Sequence, residues 1–119
     1  MQNPDRLRVS RASEDLADFI YDYTATLPRD ERFGLILQMR RAGVSVGSNI
    51  FEGCGRQGSR AMLPFFYNAL GSSGELVFQT RFCLRRGFGE RELADMSLES
   101  LDGTRGMLTN LIRFHERRR

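Results

Sequence analysis

A chain of 119 residues has room for one hydrophobic core and not for two. Its apolar share of 40% and charged share of 28% are those of an ordinary globular protein, and no stretch approaches the roughly 18 apolar residues that span a bilayer. The opening MQNPDRLRVSRAS carries no apolar core of a secretion signal, and Cys54 and Cys83 form no C-x-x-C pair. A cytoplasmic, reducing setting is predicted, with no cofactor. The single histidine, His115, makes a histidine-based metal site improbable. All 18 basic residues are arginine. A GC-rich genome explains that most simply, although arginine also suits bidentate recognition of phosphate. Residues 1–28 carry three arginines against five acids, whereas 29–88 carry nine against four. An anionic partner is therefore expected on the middle of the chain.

In chain order, the first helix is predicted over Arg6–Ala25. Leu16, Phe19, Ile20 and Tyr23 make its apolar stripe, and Glu14, Asp15, Asp18 and Asp22 its solvated face. Leu27-Pro28 ends it, and Pro28 suits the first position of a second helix reaching about Gly53, with Asp30 and Glu31 in its first turn. Ile36, Met39, Gly43, Val46 and Ile50 form one stripe of that helix. Phe33, Leu37, Val44 and Phe51 form a second beside it, so the helix is either central or covered by another subunit. Its remaining face is polar: Gln38, Arg41, Ser45, Asn49, Glu52 and Arg56.

The run GCGRQGSR over 53–60 breaks the pattern. Gly53 or Gly55 is expected to close helix two in a left-handed conformation, and Ser59 to cap helix three. Pro64 argues for a somewhat later start. Helix three, to about Arg86, is apolar nearly all round, with Glu75, Gln79 and Arg86 as a narrow polar strip. Gly71-Ser72-Ser73-Gly74 in its middle reads as a turn on propensity alone; the apolar pattern on both sides favours an unbroken helix with a small-residue patch admitting another backbone. Gly87-Phe88-Gly89 ends it. The last helix lies within Glu90–Arg117, with Leu93, Met96, Leu101, Leu108, Leu111 and Ile112 inward; Gly103 and Gly106 weaken its middle, so that its first half is expected to be separate or frayed. No strand periodicity occurs. The fold class predicted is all-α, an antiparallel up-down four-helix bundle in a single domain.

Gly53, Gly55 and Gly58 spell G-x-G-x-x-G, but a helix precedes them where a dinucleotide site needs a strand. The start of helix three, with Arg56 and Arg60, could instead hold a phosphate. Glu52 and Asn49 facing Glu75 could suggest catalysis, yet no histidine partner accompanies them, and a charge-satisfied network fixing helix register is the better reading. No Glu-x-x-His pair supports a di-metal bundle. His115 reads as a surface or helix-end residue, Cys54 as a turn cysteine with no activating base, and Cys83 as core.

LPRDERFGLILQMRRAGVSVGSNIFEGCGR over 27–56 resembles the bacterial four helix bundle protein family, also called the 23S ribosomal RNA intervening-sequence protein family. Leu27, Pro28, Glu31, Leu35, Gln38, Arg41, Ala42, Ser45, Asn49, Ile50, Glu52, Gly53 and Arg56 match its main run in register. Phe66, Ala69, Gly71, Ser72, Glu75 and Leu76 match its second signature, and Leu7, Val9, Leu16 and Tyr21 its looser first-helix pattern. Pro64, the glycines at 43 and 47 and the lack of lysine depart from the pattern. The resemblance implies an up-down bundle assembling as a homo-oligomer, a ring of five. It also implies kinship with the accessory protein of diversity-generating retroelements, and so a nucleic acid or a reverse transcriptase as partner. It favours a continuous helix three and makes Gln38, Arg41, Ser45, Asn49, Glu52, Ser72 and Glu75 a structural polar network.

The function expected is that of a non-enzymatic oligomer contacting RNA or DNA backbones through Arg40, Arg56, Arg60, Arg81, Arg85, Arg86, Arg117, Arg118 and Arg119. Aromatic residues for stacking single-stranded bases are not evident in the sequence. The alternative is a protein-interaction scaffold that binds no nucleic acid.

Overall fold

The computed structural model describes residues 4–119, so the first three residues of the N-terminal segment lie outside it. Four helices, α1 (Pro4–Thr24), α2 (Leu35–Cys54), α3 (Ser59–Arg86) and α4 (Arg91–Glu116), account for most of them, and no strand occurs among the described residues. Each helix packs on two neighbours, in the cyclic order α1, α2, α3, α4. The short connections make successive helices antiparallel.

Periodicity explains the core. Val9, Leu16, Ile20 and Tyr23 of α1, Met39, Val46 and Ile50 of α2, Phe66, Leu76 and Cys83 of α3, and Leu101 and Leu108 of α4 are all fully buried. Their spacings of three, four, seven and ten keep each set on one helical face. At roughly 1.5–3 kcal/mol for each large side chain, this one cluster supplies the main drive to fold. Gly43 and Gly47 lie against Ile20 and Ser13 of α1, which brings those two backbones close.

Several boundaries differ from expectation. Pro28 opens only a short 3-10 turn, Arg29–Glu31, and not α2. Gly34 then leaves the helical region (φ −110°, ψ −105°), so α2 begins at Leu35 and Phe33 stays outside, 81% exposed. Neither Gly53 nor Gly55 is left-handed. Gly55 is right-handed (φ −83°), and Gly53 lies buried against the Phe66 ring. The positive φ of this connection falls on Gly58, which caps α3 in place of Ser59.

α3 starts at Ser59 despite Pro64, which sits on the exposed side, where losing one backbone bond costs least. It continues unbroken through Gly71–Gly74. There Ser72 reaches Ser45 of α2 (3.0 Å) and Ser73 reaches Arg105 of α4 (2.7 Å), so the small residues serve contacts on both sides. Gly87, left-handed at φ +72°, ends α3 in a Schellman arrangement, with Phe88 N–H donating to Cys83 C=O and Gly87 N–H to Leu84 C=O. α4 is likewise continuous through Gly103 and Gly106. Ser97 and Thr104 are buried on its inner face because their hydroxyls donate to carbonyls one turn back. Met96 is not inward but 39% exposed.

Candidate functional site

The nine arginines named from the sequence fall into two patches near opposite ends of a bundle 45 Å long. Arg56 follows α2, Arg60 opens α3, and Arg117–Arg119 follow α4, all at one end. Arg40, near the start of α2, and Arg81, Arg85 and Arg86, near the end of α3, belong to the other. About 25 residues of helix, roughly 38 Å, separate Arg60 from Arg85.

Arg40 is not a free surface cation. It is half-buried, its Nε donates to Thr24 Oγ1 (2.9 Å), and its guanidinium lies 4.5 Å over the Tyr21 ring, so it ties α2 to α1. Arg56 is exposed, pairs loosely with Glu52 (3.8 Å) and stacks over Phe65. Arg60, Arg81, Arg85 and Arg86 are exposed. Arg85 lies over Phe82 and Arg86 over Phe88. The Arg117–Arg119 tail is exposed as well, and Arg118 folds back over the Phe114 ring at 3.6 Å.

The first of these ends concentrates charge. The N-terminal turns of α1, the α2–α3 connection and the last turn of α4 meet there, contributing nine arginines (6, 8, 11, 56, 60, 113, 117, 118, 119) against Asp5, Glu14, Glu52 and Glu116. Arg8 is paired with Asp5 (2.6 Å). The positive dipole ends of α1 and α3 are offset there by the negative ends of α2 and α4, so the positive field comes from the arginine side chains. No side-chain hydrogen bond caps α3.

Beneath this surface sits His115, in the last turn of α4 as one of the two expectations had it, but buried at 3% exposure and not on the surface as the other had it. Its Nδ1 is 2.7 Å from Ser59 Oγ, joining the end of α4 to the start of α3, while Phe66 and Phe114 flank the ring. Burial, with Arg6 and Arg118 nearby, pushes its pKa below the ordinary 6.5, so the ring is neutral at pH 7. Its Nε2 and the buried Nε of Arg6 meet no hydrogen-bond partner among the described residues. No carboxylate orients this imidazole: the charged groups that perturb it are arginines. Half-buried Cys54 ends α2 close by, its thiol raised by burial more strongly than Ser10 and Arg6 lower it. That is the opposite of an activated nucleophile.

The polar face of α2 is divided. Asn49 Nδ2 donates to Ser45 C=O (2.9 Å) and Oγ (3.2 Å), and Ser45 meets Ser72. Gln38, Arg41, Ser45, Ser72 and Glu75 line one shallow groove between α2 and α3. Glu52 lies elsewhere. With Ser45 opposite Ser72 and Gly53 against Phe65 and Phe66, Glu52 and Glu75 stand roughly 15 Å apart along the bundle, which rules out a carboxylate pair. Gln79, placed on the polar strip of α3 by its residue type, is buried at 6% exposure with Oε1 unpartnered.

Sequence reasoning missed two groups on α3 and α4. Arg105 clamps α3 to α4 by donating to Leu70 C=O (3.1 Å) and Ser73 Oγ. Phe78 of α3 is 67% exposed, and in sequence it looks like another core residue. Among the described residues, no group of three or more His, Cys, Asp or Glu side chains is gathered to hold a metal, and no helix is long and apolar enough to cross a membrane.

Fold and surface together define a small up-down four-helix bundle with one strongly basic end. Residues 5–110 match the family model described as 23S rRNA-intervening sequence protein, and the chain belongs to that family. A crystal structure of a protein of unknown function from the S23 ribosomal protein family of Bacteroides thetaiotaomicron superposes with a TM-score of 0.82 at 21% identity, covering 92% of this chain and 98% of that one. At that identity the likeness speaks for the fold. No curated protein matches the chain.

Proposed function

We propose that this protein is a non-enzymatic homo-oligomer, a ring of five, that binds nucleic-acid backbones. The observation that carries the reading is the basic end, where nine arginines gather against four carboxylates around a start of α3 that no side-chain hydrogen bond caps. Such a surface neutralises phosphates and releases counterions without reading sequence. A ring repeats that end in every subunit and multiplies a modest +3 per chain into a large field. The name of the family, with its reference to an insert in ribosomal RNA genes, makes RNA the first ligand to try.

Assembly is supported by the outer face of α2. Leu37, Val44 and Phe51 lie seven residues apart, are 38%, 47% and 52% exposed, and continue toward Phe33. Three apolar residues at that spacing form a straight seam of the kind one helix offers another. The same seam favours the second reading, a scaffold whose partner is a different protein.

Light scattering beside RNA and DNA gel shifts over a salt series separates the two. A ring-sized mass with binding that weakens as salt rises supports the proposal. Replacing Arg117, Arg118 and Arg119 with alanine then lowers the salt slope by about 1 for each phosphate that is no longer neutralised. A monomer that binds nothing at low salt overturns it and leaves the scaffold. Leu37→Ser with Val44→Ser should split the assembly while leaving each bundle folded, because both side chains lie outside the core.

A further inference from the structure

On the outer face of α3, away from the basic end, two i,i+4 rows run side by side: Phe78 with Phe82, and Arg81 with Arg85. The two phenyl rings are 6.1 Å apart and tilted by only 25°, an offset stack already formed on one helix. Phe78 is 67% exposed, where an ordinary surface phenylalanine lies flat against its neighbours. The arginines are exposed, with Arg85 6.0 Å over Phe82, and all four side chains line one groove with Gly74 and Val77. No carboxylate lines it. The nearest along the helix, Glu75, faces the next groove beside Arg41 and Gln38.

We infer that this strip of α3 binds single-stranded nucleic acid, with a base stacked on Phe78 and the adjoining phosphates held by Arg81 and Arg85. An exposed aromatic face between exposed cations is the arrangement that accepts any base by its π-face and holds the backbone by charge. A duplex keeps its bases stacked on one another, so it cannot use the ring. A purely apolar partner would leave the two guanidinium groups unanswered. The inference rests on the nucleic-acid reading above and specifies the strand. Phosphate contacts at the basic end are indifferent to base pairing, whereas this strip discriminates.

The chain contains no tryptophan, so Phe78→Trp installs a lone fluorophore on an exposed site without disturbing the core. Its emission should be quenched by a single-stranded oligonucleotide and left unchanged by the duplex of the same sequence. Phe78→Ala should weaken single-strand binding roughly tenfold and leave duplex binding as it was. If the full chain binds duplex while neither strand form alters the indole emission, the inference fails and the basic-end reading stands. If no nucleic acid binds at low salt, both fail. If the emission instead shifts to the blue with protein concentration, in step with the mass from light scattering, Phe78 belongs to a subunit contact and the inference is overturned.

Discussion

Where α1 runs toward α2 and α3 into α4, Tyr23 Oη donates to Phe88 C=O (2.8 Å), Thr26 Oγ1 donates to Tyr23 C=O (2.6 Å), and the same Thr26 oxygen accepts from Glu90 N–H (2.9 Å). At the opposite end, His115 and Arg6 each keep a buried nitrogen without a partner among the described residues, beneath a crowd of arginines. The same four helices thus finish in a hydrogen-bonded clasp on one side and in a positive surface on the other, while α3 also buries unpartnered Gln79 Oε1 and Thr80 Oγ1 on its clasp half. A satisfied network fixes geometry, while crowded like charges cost stability and make sense where a ligand supplies the opposite charge. Burial holds the Tyr23 phenol above its ordinary pKa, so it stays a donor at any working pH, which suits a structural role.

If the clasp is structural, it should be the place where small changes do most harm. Gly89 has φ +75°, and a methyl group there would lie 2.8 Å from both Thr26 Oγ1 and the Tyr23 ring. Gly89→Ala should cost about 3 kcal/mol, combining left-handed strain with overpacking, read as a lowered thermal midpoint. Gly53→Ala tests the packing beneath the basic end. Its Cβ would meet the buried Phe66 ring at 2.7 Å and Phe65 Cβ at 3.1 Å, for a destabilisation of about 2 kcal/mol in urea unfolding. Tyr23→Phe removes the one bond from α1 to the α3–α4 connection that this hydroxyl makes and should cost about 1 kcal/mol. Equal tolerance of Gly89→Ala and of alanine at open, helical Gly71 would break the comparison, because nothing lies within 4 Å of a Cβ there.

The sequence discloses much of the clasp's framework and little of the basic end's interior. Stripes such as Leu16, Ile20 and Tyr23, or Met39, Val46 and Ile50, are legible because helical periodicity is a local property of the chain. The continuity of α3 is readable for the same reason, from the apolar pattern on both sides of Gly71–Gly74. The start of α2 is not, since Pro28 is as good at opening a 3-10 turn as an α-helix and the break depends on the backbone chosen by Gly34. His115 misleads because residue type makes it polar, and its partner Ser59 stands 56 positions away. The arginines are visible as charges, but Arg40 and Arg105 are held by hydroxyls and carbonyls of other helices, and contacts of that kind leave no sequence signature. Phe78 shows the converse error: apolar residues all round a helix do not reveal which of them the fold leaves outside.

The smallest expected effect is also the most direct probe of the basic end. The His115 pKa lies below the ordinary 6.5 through burial first, then through Arg6 on α1 and Arg118 after α4. The unfolded chain therefore takes up this proton at a higher pH than the folded one. Stability tied to the neutral ring is complete above about pH 6.5 and is lost progressively as the pH falls below it, until the folded protein also titrates. His115→Gln should remove that part of the acid sensitivity, measured as the change in thermal midpoint between neutral and mildly acidic buffer. Because the chain has one histidine, its imidazole NMR signal reports the same site without a mutation. A titration midpoint at or above 6.5 would mean that the ring is not enclosed among positive charges, and the contrast between the two ends would disappear. Added oligonucleotide sharpens the test. Phosphates drawn to Arg118 and Arg6 offset the field that disfavours protonation, so the midpoint should rise when nucleic acid binds at this end and stay fixed when it binds only along α3.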